Sequence, residues 1–292
     1  MKQYLEILET VLTTGVKQEN RTGIPTYMVP GLLFKHDLSE GFPLLTTKKV
    51  NFSQVIGELC GFLHGANSAE QFRKLGCTVW DANSKSSYWT SSKHYKEMRY
   101  LEVYQNGRQK DLEEVGYLGR IYGVQWRSWN NHVDQITNLI KSIRTDPYSR
   151  RHLVTAWNPS QLDQMALLPC HYTFQVIIEQ STNKLHLTWN QRSVDVGLGL
   201  PFNIASYAAL AHALCNVTGY TPGMLIGFLA DVHIYENHKP QLIEQLSRKP
   251  TTLPELEMSD LDDNLFLYDI SPDHFKVLNY NPAPFIKMDM AV

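Results

Sequence analysis

Two runs of alternating apolar residues, Tyr172, Phe174, Val176 and Ile178, then Leu185, Leu187 and Trp189, flank the polar segment Ser181-Thr182-Asn183. Side chains two apart share one face of a strand, so each run presents one apolar face, and the short polar segment joins them as a β-hairpin. Such a face needs a covering layer, which helical patterns supply. Phe52, Val55, Ile56, Leu59, Phe62 and Leu63 form a stripe over residues 52–64, with Gly65 as its stop. Val133, Ile136, Ile140 and Ile143 mark a helix ending near Asp146-Pro147. Pro201 precedes a longer helix carrying Ile204, Tyr207, Leu210, Ala211 and Leu214, which stops at Gly219. Leu5, Leu8 and Leu12 recur at helical spacing near the start, a loop at Arg21–Pro25 leads into an extended stretch through Phe34, and Val232, Ile234 and Tyr235 predict a short strand. Strands and helices mix without regular βαβ alternation, which favours an α+β layer over a doubly wound sheet. No linker divides the chain, so residues 1–292 are expected to form one domain. Residues 84–116, rich in Ser, Lys and Tyr, are the least core-like and are expected to be a surface insertion.

Composition narrows the functional classes. Of 292 residues 43% are hydrophobic, enough to bury a sizeable core. Lys and Arg total 27 against 29 Asp and Glu, a formal charge of -2. That balance creates no field to gather nucleic acid or an anionic membrane, so a bound anion must be met by local bases. No run approaches the ~20 apolar residues a bilayer requires. Glu6 and Glu9 interrupt the first apolar stretch, which is therefore not a secretory signal. Cys60, Cys77, Cys170 and Cys215 lack C-x-x-C spacing, so no disulfide framework or metal site is expected, and a reducing, cytoplasmic setting is.

Several residues have chemistry open to them. Cys170 follows Pro169 where a loop meets a strand; it reads either as a buried structural thiol or as a nucleophile activated by neighbouring cations. His171 is poorly placed as its dyad partner, because successive strand residues point to opposite faces. Arg150-Arg151 opens the apolar segment Leu153–Trp157; the doublet is either a solvated face or a pair needing an anion. Arg192, Ser193 and Arg21 add two guanidinium groups and a hydroxyl, a set suited to a phosphate dianion. No P-loop or GxGxxG supports an ATP or dinucleotide site. Glu58 shares a helix face with Val55, Leu59 and Phe62: it is a salt-bridged edge residue or a desolvated carboxyl able to relay protons near neutrality. Asp231, His233 and Tyr235 share a strand face, weak evidence alone, since core histidines are common.

In order, the segments Arg21-Thr-Gly, Phe42–Lys48, Thr78–Asn83, Tyr122–Trp126, Asp146–Arg151, Pro169–His171, Gln191–Asp195, Leu198–Tyr207, His233–Tyr235 and Phe285–Val292 give a chain that resembles the thymidylate synthase family over nearly its whole length. The resemblance implies a central mixed β-sheet packed with helices, with one sheet face forming a homodimer interface. It implies that Cys170 adds to C6 of dUMP; that Arg21, Arg192 and Ser193 hold the phosphate, joined by Arg150 and Arg151 from the second subunit; that Asn203 reads the uracil edge; and that His233 and Tyr235 bind the ribose hydroxyl. Glu58, Tyr122 and His171 would organise water for proton transfers. Trp80, Asn83, Asp195, Leu198, Gly199, Phe202 and the tail residues Ala291 and Val292 would contact 5,10-methylenetetrahydrofolate, a co-substrate, with Lys48 near its glutamyl tail; Asp195 would share in catalysis. The implied reaction yields dTMP and dihydrofolate. Neither membrane nor obligate nucleic acid is an expected partner.

Three positions depart from the family pattern. Gly61 replaces a tryptophan, Arg120 a proline and Ala230 a glycine. A wall loosened at Gly61 would admit water and give 5-hydroxymethyl-dUMP with tetrahydrofolate, the alternative reaction. Asn203 suits uracil, whereas the related cytidylate enzymes carry Asp there.

Overall fold

A computed structural model describes residues 1–101 and 111–289. Eight strands are present among them: β1 Val16–Gln18, β2 Thr26–Asp37, β3 Leu153–Thr155, β4 His171–Glu179, β5 Lys184–Asp195, β6 Thr221–Tyr235, β7 Glu255–Met258 and β8 Phe275–Leu278. The first six form one sheet in the order β1-β2-β6-β5-β4-β3, mixed because β5 and β6 run parallel while the other neighbours are antiparallel. The last two form a separate antiparallel pair.

The larger helices are α1 Lys2–Thr14, α2 Phe52–Leu63 and α3 Ala69–Lys74, then, after the short α4 Asp81–Lys85, α5 Ser87–Thr90, α6 Lys93–Arg99 and α7 Leu112–Val115, α8 Tyr122–Arg127, α9 Gln135–Thr145, α10 Gly199–Thr218 and α11 Lys239–Ser247. Helix α10 links the parallel pair β5 and β6 and is buried along most of its length, with Ile204, Tyr207, Leu210 and Leu214 in the core. The other sheet face carries exposed Leu33, Leu153, Ile177 and Phe228. Leu33 and Phe228 are register partners on β2 and β6. The sheet is thus covered on one side, an α+β arrangement. No helix among the described residues is long and apolar enough to cross a membrane.

The hairpin, α2, α9 and α10 lie where the hydrophobic pattern predicts, and α10 ends at Gly219 in the left-handed region (φ 81). The differences have physical causes. The buried stripe of α1 is Tyr4, Ile7, Leu8 and Val11, which shares Leu8 with the predicted Leu5, Leu8 and Leu12 but is rotated toward Tyr4, whose hydroxyl donates to the Val196 carbonyl at 2.9 Å. Pro201 sits in the first turn of α10 rather than before it, where its missing N–H costs nothing. Strand β6 runs 15 residues instead of four. Its Pro222, Gly223 and Gly227 look like breakers, yet a Cβ on Gly227 would lie 2.4 Å from Trp189 Cζ2: the glycine admits the indole of the neighbouring strand. Residues 84–116 are less surface-like than predicted, since Trp89, Tyr95 and Leu112 are buried and Trp89 Nε1 donates to the Tyr117 carbonyl at 2.6 Å. Residues 102–110 of that segment lie outside the described residues.

Candidate active site

The C-terminal ends of the parallel strands β5 and β6 lie side by side, pairing Ser193 with Asp231 and Asp195 with His233. Cys170 joins them through backbone pairing, the Arg192 N–H donating to the Cys170 carbonyl at 2.9 Å, and α10 starts four residues beyond Asp195. This is the edge of a sheet where side chains from several elements converge. Arg192, Ser193, Asp195, His233, Tyr235, Cys170, His171, Gly199, Phe202 and Asn203 are placed there by strand and helix ends.

Cys170 is half-buried, whereas Cys60, Cys77 and Cys215 are buried. Burial pushes the Cys170 thiol up, while Arg192, the Tyr122 hydroxyl and Arg21 pull it back. Burial pushes the other thiols up with no cation to pull them back, Cys77 and Cys215 to about 12. Cys170 is therefore the half-buried thiol with cations acting on it. Its backbone N–H donates to Tyr122 Oη at 2.6 Å. Arg192 Nε and Nη2 donate to the carbonyls of Pro169 and Leu168, at 2.9 and 3.0 Å, and the guanidinium lies over the Trp157 ring. Arg192 thus fixes the loop that presents the sulfur, with two of the five guanidinium N–H donors engaged. Arg21, Arg150 and Arg151 are exposed, and none forms an ion pair with a described residue. Arg150 and Arg151 precede β3, at the edge of the sheet opposite β1 and β2.

His171 is no partner for the thiol. Its ring stacks on Tyr122 at 4.3 Å, its Nδ1 meets the Tyr207 hydroxyl at 2.9 Å, and burial lowers its pKa to about 3, so it is neutral. Glu58 takes a hydrogen bond from Trp80 Nε1 at 3.0 Å, and burial raises it to about 7 against that bond. A carboxyl poised there exchanges protons near neutrality. His233 is buried and contacts Asp231 through Nδ1 at 2.8 Å, with Tyr235 edge-on to its ring.

Asn203 has a fixed orientation. Trp189 Nε1, which only donates, gives its proton to Gln191 Oε1 at 3.0 Å; Gln191 Nε2 then donates to Asn203 Oδ1 at 2.9 Å. The Asn203 NH2 is thereby the end left to a ligand. Gln191 is a site residue that motif reading left without a role. Its signal is legible in hindsight: it continues the alternation Leu185, Leu187, Trp189 and so puts an amide on a buried face.

Asp195 accepts the Gly197 N–H through Oδ1 at 2.9 Å, leaving Oδ2 for a donor edge. Leu198 and Phe202 are half-buried beside it. Lys48 is buried, and its ammonium donates to the Gly197 carbonyl; burial lowers it to about 8 while Asp195 opposes. Asn83 is half-buried in α4, next to Trp80. Ala291 and Val292 lie outside the described residues.

The departures at 61 and 120 are filled rather than vacant. A Cβ on Gly61 would lie 2.3 Å from Phe72 Cε1, so the Phe72 ring stands where a side chain at 61 would go. The expectation of a loosened wall at Gly61 is thereby corrected. Arg120 cross-links two loops, donating through Nε to Gln161 at 2.8 Å and through Nη1 to Asn131 at 2.7 Å. Ala230 is exposed on β6.

Comparison with known proteins gives the family. A family model described as thymidylate synthase matches residues 2–292. The thymidylate synthase of Pseudomonas syringae pv. tomato is 36% identical over 340 residues, covering 100% of both chains.

Proposed function

The chain belongs to the thymidylate synthase family, a family of methyltransferase enzymes of nucleotide biosynthesis, and from that premise we propose that it converts dUMP to dTMP using 5,10-methylenetetrahydrofolate. The observation that carries the reading is the half-buried Cys170 thiol, with Arg192 and Arg21 acting on it, in one cluster with an Asn203 whose amide N–H faces outward from Gln191.

Cys170 adds to C6 of the pyrimidine, and the electrons move toward O4. The Asn203 NH2 meets a 4-oxo group and stabilises the enolate, as preorganised donors do for developing oxyanions. The free donors of Arg192, with Arg21 and Ser193, hold the phosphate. Arg150 and Arg151 come from a second subunit that covers the exposed sheet face, in a homodimer. His233 and Tyr235 take the ribose hydroxyl. Glu58 and Tyr122, with neutral His171 stacked behind, relay protons at C5 and O4 through water. The folate supplies a methylene and then a hydride. A carboxylate at Asp195 with one free oxygen, beside the apolar Leu198 and Phe202, suits the donor edge and flat face of a pterin. The whole chain acts as one catalytic domain, in the cytoplasm.

Incubation with dUMP and methylenetetrahydrofolate tests this. Dihydrofolate absorbance should rise with dTMP in equal amounts, and Cys170→Ser should abolish both. Nucleotide product without dihydrofolate would replace the reading with the hydroxymethyl reaction.

A further inference from the structure

Helix α2 carries Gly57 and Gly61 one turn apart, and α3 with the residue that follows it lies directly on them. A Cβ on Gly57 would be 2.3 Å from the Leu75 carbonyl oxygen, and one on Gly61 would be 2.3 and 2.4 Å from Phe72 Cε1 and Cδ1. Phe72 is fully buried. Its ring stacks on Trp80, with centroids 5.6 Å apart and planes 21° from parallel, and meets Phe62 edge-on at 5.7 Å. Trp80 in turn gives its indole N–H to Glu58. The glycine, the phenyl ring, the indole and the carboxyl therefore form one packed series running from the interior of α2 to the proton-relay group. The Phe72 side chain has no polar atom, and its ring packs on Phe62 and Trp80. Its contribution is to the placement of Trp80.

We propose that Phe72 is a positioning residue for the last step of the reaction: filling the space left by Gly61, it holds Trp80 against Glu58, keeps water from the exocyclic methylene on C5, and commits the enzyme to a methyl product. This rests on the reading of the preceding section. Both outcomes start with Cys170 bonded to C6 and a methylene carbon on C5. In reduction a hydride from tetrahydrofolate bonds to that carbon, the C5–C6 double bond re-forms and Cys170 leaves as thiolate; the folate, losing the hydride and its N5 proton, is oxidised to dihydrofolate. In hydration a water oxygen bonds to the same carbon and releases a proton, the same double bond re-forms and the thiolate leaves, with nothing oxidised and tetrahydrofolate unchanged. The two differ only in which molecule reaches the carbon. Removing the Phe72 ring leaves a gap that a packed interior closes only in part. That gap lies against the face of the Trp80 ring, so the indole is freed to shift from Glu58, and its N–H and the carboxyl then become partners for a water.

The test compares wild type, Phe72→Ala and the double substitution Phe72→Ala/Gly61→Trp. From each reaction dTMP and 5-hydroxymethyl-dUMP are measured by mass spectrometry and dihydrofolate by absorbance. The product ratio does not depend on how much protein is folded. Phe72→Ala should raise the hydroxymethyl share roughly tenfold, the factor one aromatic pair supports, with dihydrofolate falling in step. The double substitution, which returns a ring to the vacated space, should bring the share back. In the ligand-free protein the Trp80 indole N–H resonance, assigned with Trp80→Phe, should move in Phe72→Ala and return in the double variant. An unchanged product ratio in Phe72→Ala, or no return in the double variant, overturns the proposal. A wild-type enzyme giving only the hydroxymethyl product overturns it too, and one giving neither product removes the reading beneath it.

Discussion

Trp80 Nε1 lies 3.0 Å from Glu58 Oε1, a hydrogen bond that acts against the burial raising that carboxyl to about 7. The balance makes Glu58 a stability liability at neutral pH. Folded Glu58 keeps its proton to about pH 7, while its ordinary value is 4.5. Between these values the native state binds more protons than the unfolded one, so stability falls as pH rises, and the loss is complete above about pH 7. At about 1.36 kcal/mol per pH unit the interval amounts to about 3 kcal/mol. Glu58→Gln keeps an acceptor for Trp80 and cannot ionise. Urea unfolding of the two proteins from pH 4.5 to pH 8 should show the variant gaining about 3 kcal/mol on wild type. A pH-independent difference would mean the carboxyl is better solvated than its packing implies.

Arg192 has two duties that substitution separates. Its Nε and Nη2 anchor the carbonyls before Cys170, and its charge is the largest influence lowering the thiol. Arg192→Ala should slow iodoacetamide alkylation of Cys170 at fixed pH and cost ~2–5 kcal/mol of dUMP binding, the range for a desolvated charged pair. Arg192→Lys keeps the charge without the fork, so it should retain more alkylation rate than dUMP affinity. Equal losses in both measurements would merge the two duties into one.

Which features were legible in the sequence follows from what makes a signal local. The β4–β5 hairpin and α2 announce themselves through periodicity, and α10, buried on nearly every side, through a long apolar run stopped by Gly219. Strand β6 does not: it reads as broken at Gly223 and Gly227 until Trp189 and His186, from the adjacent strand, are laid over those glycines. The same holds within the site. Cys170, Arg192 and Asn203 are marked by ordered motifs, whereas the orientation of Asn203 depends on a bond from Gln191, and the wall at Gly61 on a ring from another helix. Residues whose effect passes through a neighbour leave no pattern in their own segment.

Lys48 shows the same dependence. A lysine near a glutamyl tail should be solvated, but this one is buried with its ammonium on the Gly197 carbonyl, and burial lowers it to about 8. Over the range from about 8 to 10.5 the unfolded chain binds more protons, so stability rises with pH there, and the charge is costly below it. Lys48→Met should therefore loosen the 195–198 turn and raise KM for methylenetetrahydrofolate severalfold, by the same factor for mono- and polyglutamate forms. A selective loss of the polyglutamate would instead place the ammonium on the tail in the bound state.

The His238 ring ties down the C-terminal segment. His238 is buried; its Nε2 lies 2.7 Å from the Asp289 carbonyl, which can only accept, so Nε2 carries the proton. Ile286 and Met288 are buried alongside, and the Met288 sulfur lies 3.4 Å from where a Cβ on Gly197 would stand, so the segment rests on the same turn that Lys48 and Asp195 hold. Losing one hydrogen bond to a packed segment costs about 1 kcal/mol, roughly a fivefold change in its opening equilibrium. His238→Phe keeps the ring and removes the donor, so amide exchange over residues 285–289 should quicken by about that factor. KM for the folate should rise while dUMP affinity stays constant, because His238 packs against the turn at Gly197, beside the proposed folate contacts, and not among the arginines proposed to hold the nucleotide. His238→Gln, which restores an N–H, should recover part of both effects. Equal exchange in wild type and His238→Phe would show that Ile286 and Met288 hold the segment by burial alone.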